Sequence, residues 1–290
     1  MSALILGATG NIGPHVVSEL VAGGERPRVL ARDEDKARAV LGDDIEIVVG
    51  DMTDPATLDA AAKDVDTVFL LSSHGFTMAD TQLAVIRQLR RSGARIVKLS
   101  GTSSAINPQG PHACRQHWEI ERVLEESGQP FVILRPNSFM QVIVQGMLLP
   151  ALQSTGKVLN PIAGSGISFI DARDVGEVAA KVITSHDWDS QTLVLTGPRA
   201  VTYADIARIV GEVTGTPTDV VEVTPADVRA SLIGRGMQEW EADHFEEMYE
   251  LFRAGESAFV TDTVEQVTGH PARTIEAFLD EVLQPAGASA

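Results

Sequence analysis

Seven residues near the start, Gly7-Ala8-Thr9-Gly10-Asn11-Ile12-Gly13, carry the spacing with the most chemical content, and Pro14 then opens a helical stretch to Ala22. Glycines let a backbone turn tightly and approach a bulky anion. The free amides along Gly7, Thr9, Gly10, Asn11, Ile12 and Gly13, with the positive end of the helix dipole, meet its charge. Set between an apolar strand and a helix, this turn is expected to hold the diphosphate of a dinucleotide; an ordinary tight turn is the plainer alternative. Groups able to move a proton lie further on. Histidine titrates near working pH, which makes His117 a candidate relay, although beside Trp118, Ile120 and Val123 it also reads as a packing residue. His74 and His112 are expected on loops, more solvent-exposed than catalytic. Lys98 shares a strand face with Ile96 and Ser100, which would aim its amine at the same place, yet a lysine snorkelling at a sheet edge is the simpler expectation. Cys114 is the only cysteine, so no intrachain disulfide or cysteine metal cluster is expected, and with no basic neighbour pattern that would lower its pKa it reads as a buried or incidental thiol.

These groups need a frame. Short, continuous apolar runs recur at Ala3 to Leu6, Arg28 to Ala31, Ile45 to Val49, Thr67 to Leu71, Arg95 to Leu99 and Phe131 to Leu134. Continuous rather than alternating hydrophobicity marks strands covered on both faces, and the helical stretches between them predict an α/β, Rossmann-like, doubly wound parallel sheet. Asp54-Pro55 caps a helix to Ala62, Asp80 to Ser92 is a helix stopped by Gly93, and His117 to Glu126 is the helix before the sixth strand. Beyond Pro136 an apolar helix, Met140 to Leu149, is expected to end at Pro150, and Asn160 to Gly166 is a loop into a short strand, Ser168 to Ile170. Val175 to Ile183 and Thr192 to Leu195 return to the main sheet. Thr202 with Asp205, and Thr224 with Asp227, form capping-box patterns at the heads of two more helices. The remainder is mostly helical, with a frayed tail at Pro285 to Ala290.

The chain has 290 residues, 44% hydrophobic and 22% charged, as expected of a globular protein. Forty acidic against 23 basic residues give a net charge of −17, which argues against nucleic acid as a partner. The N-terminus lacks the pattern of a secretory signal and no apolar run reaches membrane-spanning length, so a cytoplasmic location with no membrane partner is expected.

The turn GATGNIG, with Val49-Gly50-Asp51-Met52-Thr53-Asp54-Pro55, Leu134-Arg135-Pro136-Asn137-Ser138-Phe139-Met140, Phe169-Ile170-Asp171-Ala172-Arg173-Asp174-Val175 and Leu195-Thr196-Gly197-Pro198, resembles the NmrA-like and quinone-oxidoreductase-like branch of the atypical short-chain dehydrogenases/reductases. Together these segments span nearly the whole chain. The resemblance implies an NAD(P)-binding fold, and either a reductase or a catalytically silent redox sensor that binds a protein partner.

At the end of the second strand, where an acid would hold the ribose of NAD, stands Arg32, whose guanidinium suits a 2′-phosphate. NADP(H) is therefore the expected cofactor, with NAD(H) the alternative through Asp33. Asp51 and Met52 resemble the family's adenine-contacting pair, Asp51 also reading as a turn cap. Leu71 and Ser72 at the end of the fourth strand and Ser100 after the fifth are expected along the cofactor edge. The family's proton donor is a tyrosine four residues before a lysine; here that pair falls on Ala113 and His117, so His117 would stand in the lysine's place, to contact the ribose or relay a proton, and Tyr203 and Tyr249 are placed elsewhere. Thr102 or Ser103 matches the family's hydroxyl that holds the substrate oxygen, a turn former being the plain alternative. Without the tyrosine, the expected acceptor is a quinone or a conjugated aromatic carbonyl, whose reduced form needs little protonation help; a sugar-nucleotide epimerase fits least.

Asn137, Phe139 and Met140 are expected to meet a small apolar aromatic substrate from one side and Trp240, in the aromatic and methionine-rich stretch Met237 to Phe252, from the other. Gln141-Val142 departs from the family, where an acid or asparagine is common. The expected division is a cofactor domain of 1–137 with 171–197, and a smaller, mostly helical substrate lobe of 138–170 and 198–290, in a monomer or homodimer.

Overall fold

The computed structural model describes residues 2–284; the tail expected to fray lies outside them. In chain order the first half runs β1 (Ala3–Ile5), α1 (Gly13–Ala22), β2 (Arg28–Ala31), α2 (Glu34–Leu41), β3 (Glu46–Val49), α3 (Pro55–Ala61), β4 (Thr67–Leu70), α4 (Met78–Leu89), β5 (Arg95–Leu99), α5 (His112–Glu126) and β6 (Phe131–Pro136). A π-helix, Met140–Leu148, leads into α6 (Leu149–Thr155), β7 (Lys157–Asn160), α7 (Ala172–Thr184) and β8 (Gln191–Leu195). The rest is α8 (Tyr203–Thr214), β9 (Asp219–Glu222), α9 (Pro225–Gly234), α10 (Glu239–Arg253), α11 (Thr263–Thr268) and α12 (Ile275–Leu283).

Seven strands form one sheet in the order β3-β2-β1-β4-β5-β6-β8, and every pairing in it is parallel. The order reverses between β1 and β4, so their carboxyl ends open a crevice there. The apolar runs are buried on both faces. On one side Val16, Val17 and Leu20 of α1 and Val175, Val178 and Val182 of α7 pack on Ile5, Val97, Val132 and Leu134. On the other, Leu58 of α3, Leu83 and Ile86 of α4 and Ile120 and Leu124 of α5 pack on Leu4, Val68, Ile96 and Ile133. Each such side chain contributes about 1.5–3 kcal/mol on leaving water. A third cluster, with Val144, Leu148, Ile206, Val210, Phe252, Phe278 and Leu279, is the core of the C-terminal lobe.

Local signals decide several ends. Asp54 accepts the amide of Ala56 at 3.0 Å, and both capping boxes form, Thr202 with Asp205 and Thr224 with Asp227. Elsewhere the structure departs from expectation. The stretch read as one helix ending at Pro150 is a π-helix that runs on into α6; the wider turns carry the chain past Pro150, whose missing amide falls in the first turn of α6 where no donor is needed. Ser168 to Ile170 forms no strand, only isolated bridges at Ile167–Val201 and Phe139–Ile170. The lobe's strands are instead β7 and β9, paired in parallel with each other. Helix α5 begins at His112, which is helical rather than on a loop.

The cofactor turn is anchored by the crossing of α1 and α7. A Cβ at Gly176 would collide with the Cβ of His15 and lie 2.9 Å from its carbonyl carbon. Gly176→Ala is therefore expected to lower stability by about 1–3 kcal/mol through overpacking, read from urea unfolding midpoints; an unchanged midpoint would contradict this account of the crossing.

Candidate cofactor and reaction site

Where β1 ends, the backbone must leave the sheet beside the end of β4. Gly7 has φ +70°, and a Cβ there would sit 2.7 Å from the carbonyl oxygen of Leu71. The amide of Gly10 donates to the Gly7 carbonyl at 3.1 Å, and a Cβ on Gly13 would strike that same carbonyl and lie 2.5 Å from the Cα of Ala8. Side chains are excluded at both places, which leaves a shallow backbone cradle. Helix α1 opens from Ile12 with no side-chain cap and no acid in its first turn, whereas Asp33, Asp54 and Asp171 cap α2, α3 and α7. Thr9 is half-buried and Asn11 exposed, while Ile12 buries its side chain in the core and offers only its amide. An uncapped helix start behind a cradle that a Cβ would fill fits a diphosphate.

Arg32, exposed just past β2, has no hydrogen bond or ion pair among the described residues. Asp33, the alternative ribose partner, accepts the Lys36 amide at 3.0 Å as the cap of α2. Asp51 accepts the Thr53 amide at 2.9 Å and its hydroxyl at 2.8 Å, bonds that hold its carboxyl below the ordinary range, with the Arg32 charge acting in the same direction. Its turn-capping role is thus formed. Met52 packs on the α3–α4 side of the sheet. Leu71 lies against Gly7, and Ser72 accepts from Gln82 Nε2 at 3.0 Å.

Lys98 corrects an expectation. It is fully buried in β5, flanked by β4 and β6, and has no route along which to snorkel. Its Nζ donates to the Leu99 carbonyl at 3.0 Å and stands 2.9 Å from Nδ1 of His117 on α5. Burial brings the Lys98 amine down to about 7, against the pull of Glu121. Burial first, then the Lys98 charge, keeps His117 well below the usual imidazole value. Ser100, expected to face the cofactor, gives its hydroxyl instead to buried Glu121, which also binds Arg135 through Nη2 at 2.5 Å and Nε at 3.2 Å. Arg135 donates to Ser103 Oγ at 3.3 Å, so of the two candidate hydroxyls only that of Thr102 is uncommitted.

Above this edge aromatic rings gather from three elements. His74, after β4, stacks on Trp240 of α10 at 5.4 Å, and His244 lies 5.4 Å from His74. His112 stacks on Phe76 at 4.7 Å and meets Trp240 at 5.3 Å, so it is half-buried within a cluster rather than solvent-exposed. His74 keeps the exposure expected of it. Sequence reasoning missed His244, which is 9% exposed with Nδ1 unpartnered; one helical turn beyond Trp240, it falls on the same face, and that spacing was the available signal.

Two substrate expectations need correction. Asn137 donates to Ser168 Oγ at 2.7 Å and the Ser257 carbonyl at 3.0 Å, and accepts from the Ser138 amide at 2.9 Å and Ser257 Oγ at 2.6 Å. Its amide is saturated, and it clamps the lobe to the end of β6. Met140 is buried in the lobe core. Phe139 and Trp240 remain half-buried. Inside the lobe a cavity of about 450 Å³ is bordered by Met147, Leu148, Tyr203, Leu232, Met237 and Tyr249. Burial raises both phenols, that of Tyr249 to about 12, and likewise the Cys114 thiol to about 12 beside Met248.

Burial depresses the His244 imidazole from 6.5 to about 3. Between those values the unfolded chain takes up a proton there that the folded chain refuses, so stability falls as pH drops through this window. His244→Phe should shrink the loss of urea midpoint between about pH 7 and about pH 5 relative to the parent protein; an unchanged loss would refute a neutral, buried His244.

Residues 2–279 match the NmrA-like family. Over 276 residues the chain is 32% identical to an NAD(P)H azoreductase of Xenophilus azovorans, covering 95% of this chain and 96% of that protein. It is 24% identical over 275 residues to quinone oxidoreductase 2 of Escherichia coli, covering 93% and 95%. Among solved structures, the NADPH-dependent quinone oxidoreductase of Escherichia coli, complexed with NADPH, superposes with a TM-score of 0.88 at 23% identity over 98% of this chain and 100% of that one. The triphenylmethane reductase of Citrobacter sp., complexed with NADP(H), gives 0.85 at 21% over 96% and 99%. The match along almost its whole length, supported by the Gly7–Gly13 cradle at the crevice of a seven-stranded parallel sheet, makes this chain a member of the NmrA-like family.

Proposed function

We infer that the chain is an NAD(P)H-dependent reductase, with NADPH preferred, acting on planar conjugated acceptors: quinones, conjugated aromatic carbonyls and azo compounds. The observation that carries this reading is the cradle after β1 standing on the same sheet edge as a cluster of imidazoles and aromatic rings. The azoreductase relative, 32% identical over 95% of this chain, supports the reaction class.

Bound reduced nicotinamide supplies a hydride. The chain's own groups do the rest. The amides at Gly10 to Gly13 and the start of α1 hold the diphosphate, and Arg32, free of hydrogen bonds and ion pairs among the described residues, takes the 2′-phosphate. His117 presents Nε2 beside Gly101, where an acceptor oxygen or nitrogen would lie, and Thr102 offers a hydroxyl at the same strand end. Trp240, Phe76 and the stacked imidazoles cover the reacting atoms with flat, uncharged surface suited to a conjugated ring. Ala113 stands in α5 where the resemblance would put the tyrosine, and both tyrosines are buried in the lobe. Acceptors whose reduced anions are stabilised by conjugation fit such a site. In this reading residues 1–137 with 171–197 carry the cofactor, and 138–170 with 198–290 carry the acceptor. A silent NAD(P)-responsive regulator is the second reading, favoured by those misplaced tyrosines; turnover separates the two.

Two measurements test the proposal. Arg32→Ala should lower the ratio of NADPH to NADH affinity roughly 10- to 100-fold, the worth of one or two charge-assisted bonds, and an unchanged ratio would remove Arg32 from the site. Protein that binds NADPH should oxidise it with at least some quinones or azo dyes in a broad panel; binding without any oxidation would favour the regulator.

A further inference from the structure

Lys98 carries more than its place in the sheet requires. A lysine at the centre of a parallel sheet is expensive to bury, and an alkyl side chain would fill the same space. Its amine nevertheless points at Nδ1 of His117 from 2.9 Å, with a second bond to the Leu99 carbonyl at 3.0 Å. A donor aimed at Nδ1 fixes the tautomer: the ring accepts there and carries its own proton on Nε2. That second nitrogen has no hydrogen-bond partner among the described residues. It lies 3.8 Å from the point a Cβ would occupy on Gly101, at the carboxyl end of β5.

We propose that Lys98 and His117 form a two-step proton relay, in which buried Lys98 is the proton store and His117 hands the proton to the acceptor atom that is being reduced. The inference rests on the reductase reading and deepens it. The acceptor gains a hydride, supplied by the bound nicotinamide, and one proton. The N–H bond at His117 Nε2 breaks as the acceptor's new O–H or N–H bond forms, while an N–H bond of the Lys98 ammonium breaks as one forms at Nδ1. The pair ends as a neutral amine beside a neutral imidazole protonated on Nδ1. A proton taken up from water at Nε2, with return of the Nδ1 proton to Lys98, restores the start. No imidazolium need persist at any stage. That matters in a position where burial and a neighbouring ammonium both disfavour it.

The charged and titratable groups around the pair suit this use. Glu121 on α5 stabilises the ammonium and Arg135 on β6 opposes it, while His74 and His244 bear on His117 from the segment after β4 and from α10. Glu121 is itself held by Arg135 and Ser100, so it screens Lys98 without competing for its proton. The Lys98 amine, brought to about 7, gives up a proton at neutral pH, which an ordinary lysine does not.

Lys98→Gln separates storage from support, because an amide still donates to Nδ1 and to the Leu99 carbonyl yet has no proton to give. The expected result is NADPH affinity unchanged and the His117 Nε2–H tautomer retained in ¹⁵N spectra of cofactor-free protein. Turnover of a quinone should fall roughly 100-fold, and the dependence of kcat on pH around neutrality should flatten. Lys98→Met should release the tautomer as well, seen by the same spectra whether or not turnover survives. An active parent whose Lys98→Gln variant keeps the parental pH profile overturns the relay alone. A parental Nδ1–H tautomer overturns it too. Parent protein that oxidises NADPH with no acceptor overturns the reductase reading and the relay with it.

Discussion

Everything at the sheet's carboxyl edge depends on one steric constraint, the approach of the Gly7 backbone to the Leu71 carbonyl where β1 and β4 part. No side chain fits there or at Gly13, so the turn is made of peptide groups alone, and α1 begins before any residue has closed its amides. The aspartates that cap α2, α3 and α7 show that the chain finishes helices by itself where it needs to. At α1 the unfinished donors and the dipole are left facing the crevice, a poor arrangement for an isolated helix and a good one for a diphosphate. The tight α1–α7 crossing through Gly176 and His15 then keeps the cradle in position.

A second constraint is dielectric. The chain is strongly acidic overall, yet the reaction edge is built from imidazoles and one lysine, with its nearest buried acid, Glu121, already bound to Arg135 and Ser100. Burial lowers the proton affinity of His117, His244 and Lys98 together, so the two imidazoles are uncharged near neutrality while the Lys98 amine can pass between its charged and neutral forms. Such an edge repels neither a reduced nicotinamide nor a neutral aromatic acceptor, and it places proton-bearing atoms where negative charge would develop.

Features set by neighbours in the chain were legible in the sequence. The doubly wound parallel sheet followed from continuous apolar runs, the cradle from three glycines between a strand and a helix, and both lobe helices from their capping boxes, whereas the order of the strands did not. Features set by distant packing were not. Alternation placed Lys98 on the face of Ile96 and Ser100, but only the sheet order reveals that β5 is central and that Lys98 is fully buried. Asn137 looked like a substrate contact until the lobe brought Ser257 and Ser168 to its amide. His244 is an unremarkable helix position until α10 crosses above α5 and the segment after β4.

That crossing also explains how one scaffold can keep its cofactor and vary its acceptor. Helix α10 presents Trp240 and His244 to the ring cluster and Glu241 and Tyr249 to the lobe cavity, so one element touches both apolar spaces while contributing nothing to the glycine cradle. The lobe is pinned by the Asn137 clamp at the end of β6, which is itself a strand of the cofactor sheet. Changes along α10 therefore reshape the surface offered to a flat ring, whereas the distance from that surface to the sheet edge stays fixed by Asn137. Under the proposed function, acceptor specificity would then lie on a helix that contributes nothing to the glycine cradle, and the proton store would lie in the sheet beneath it.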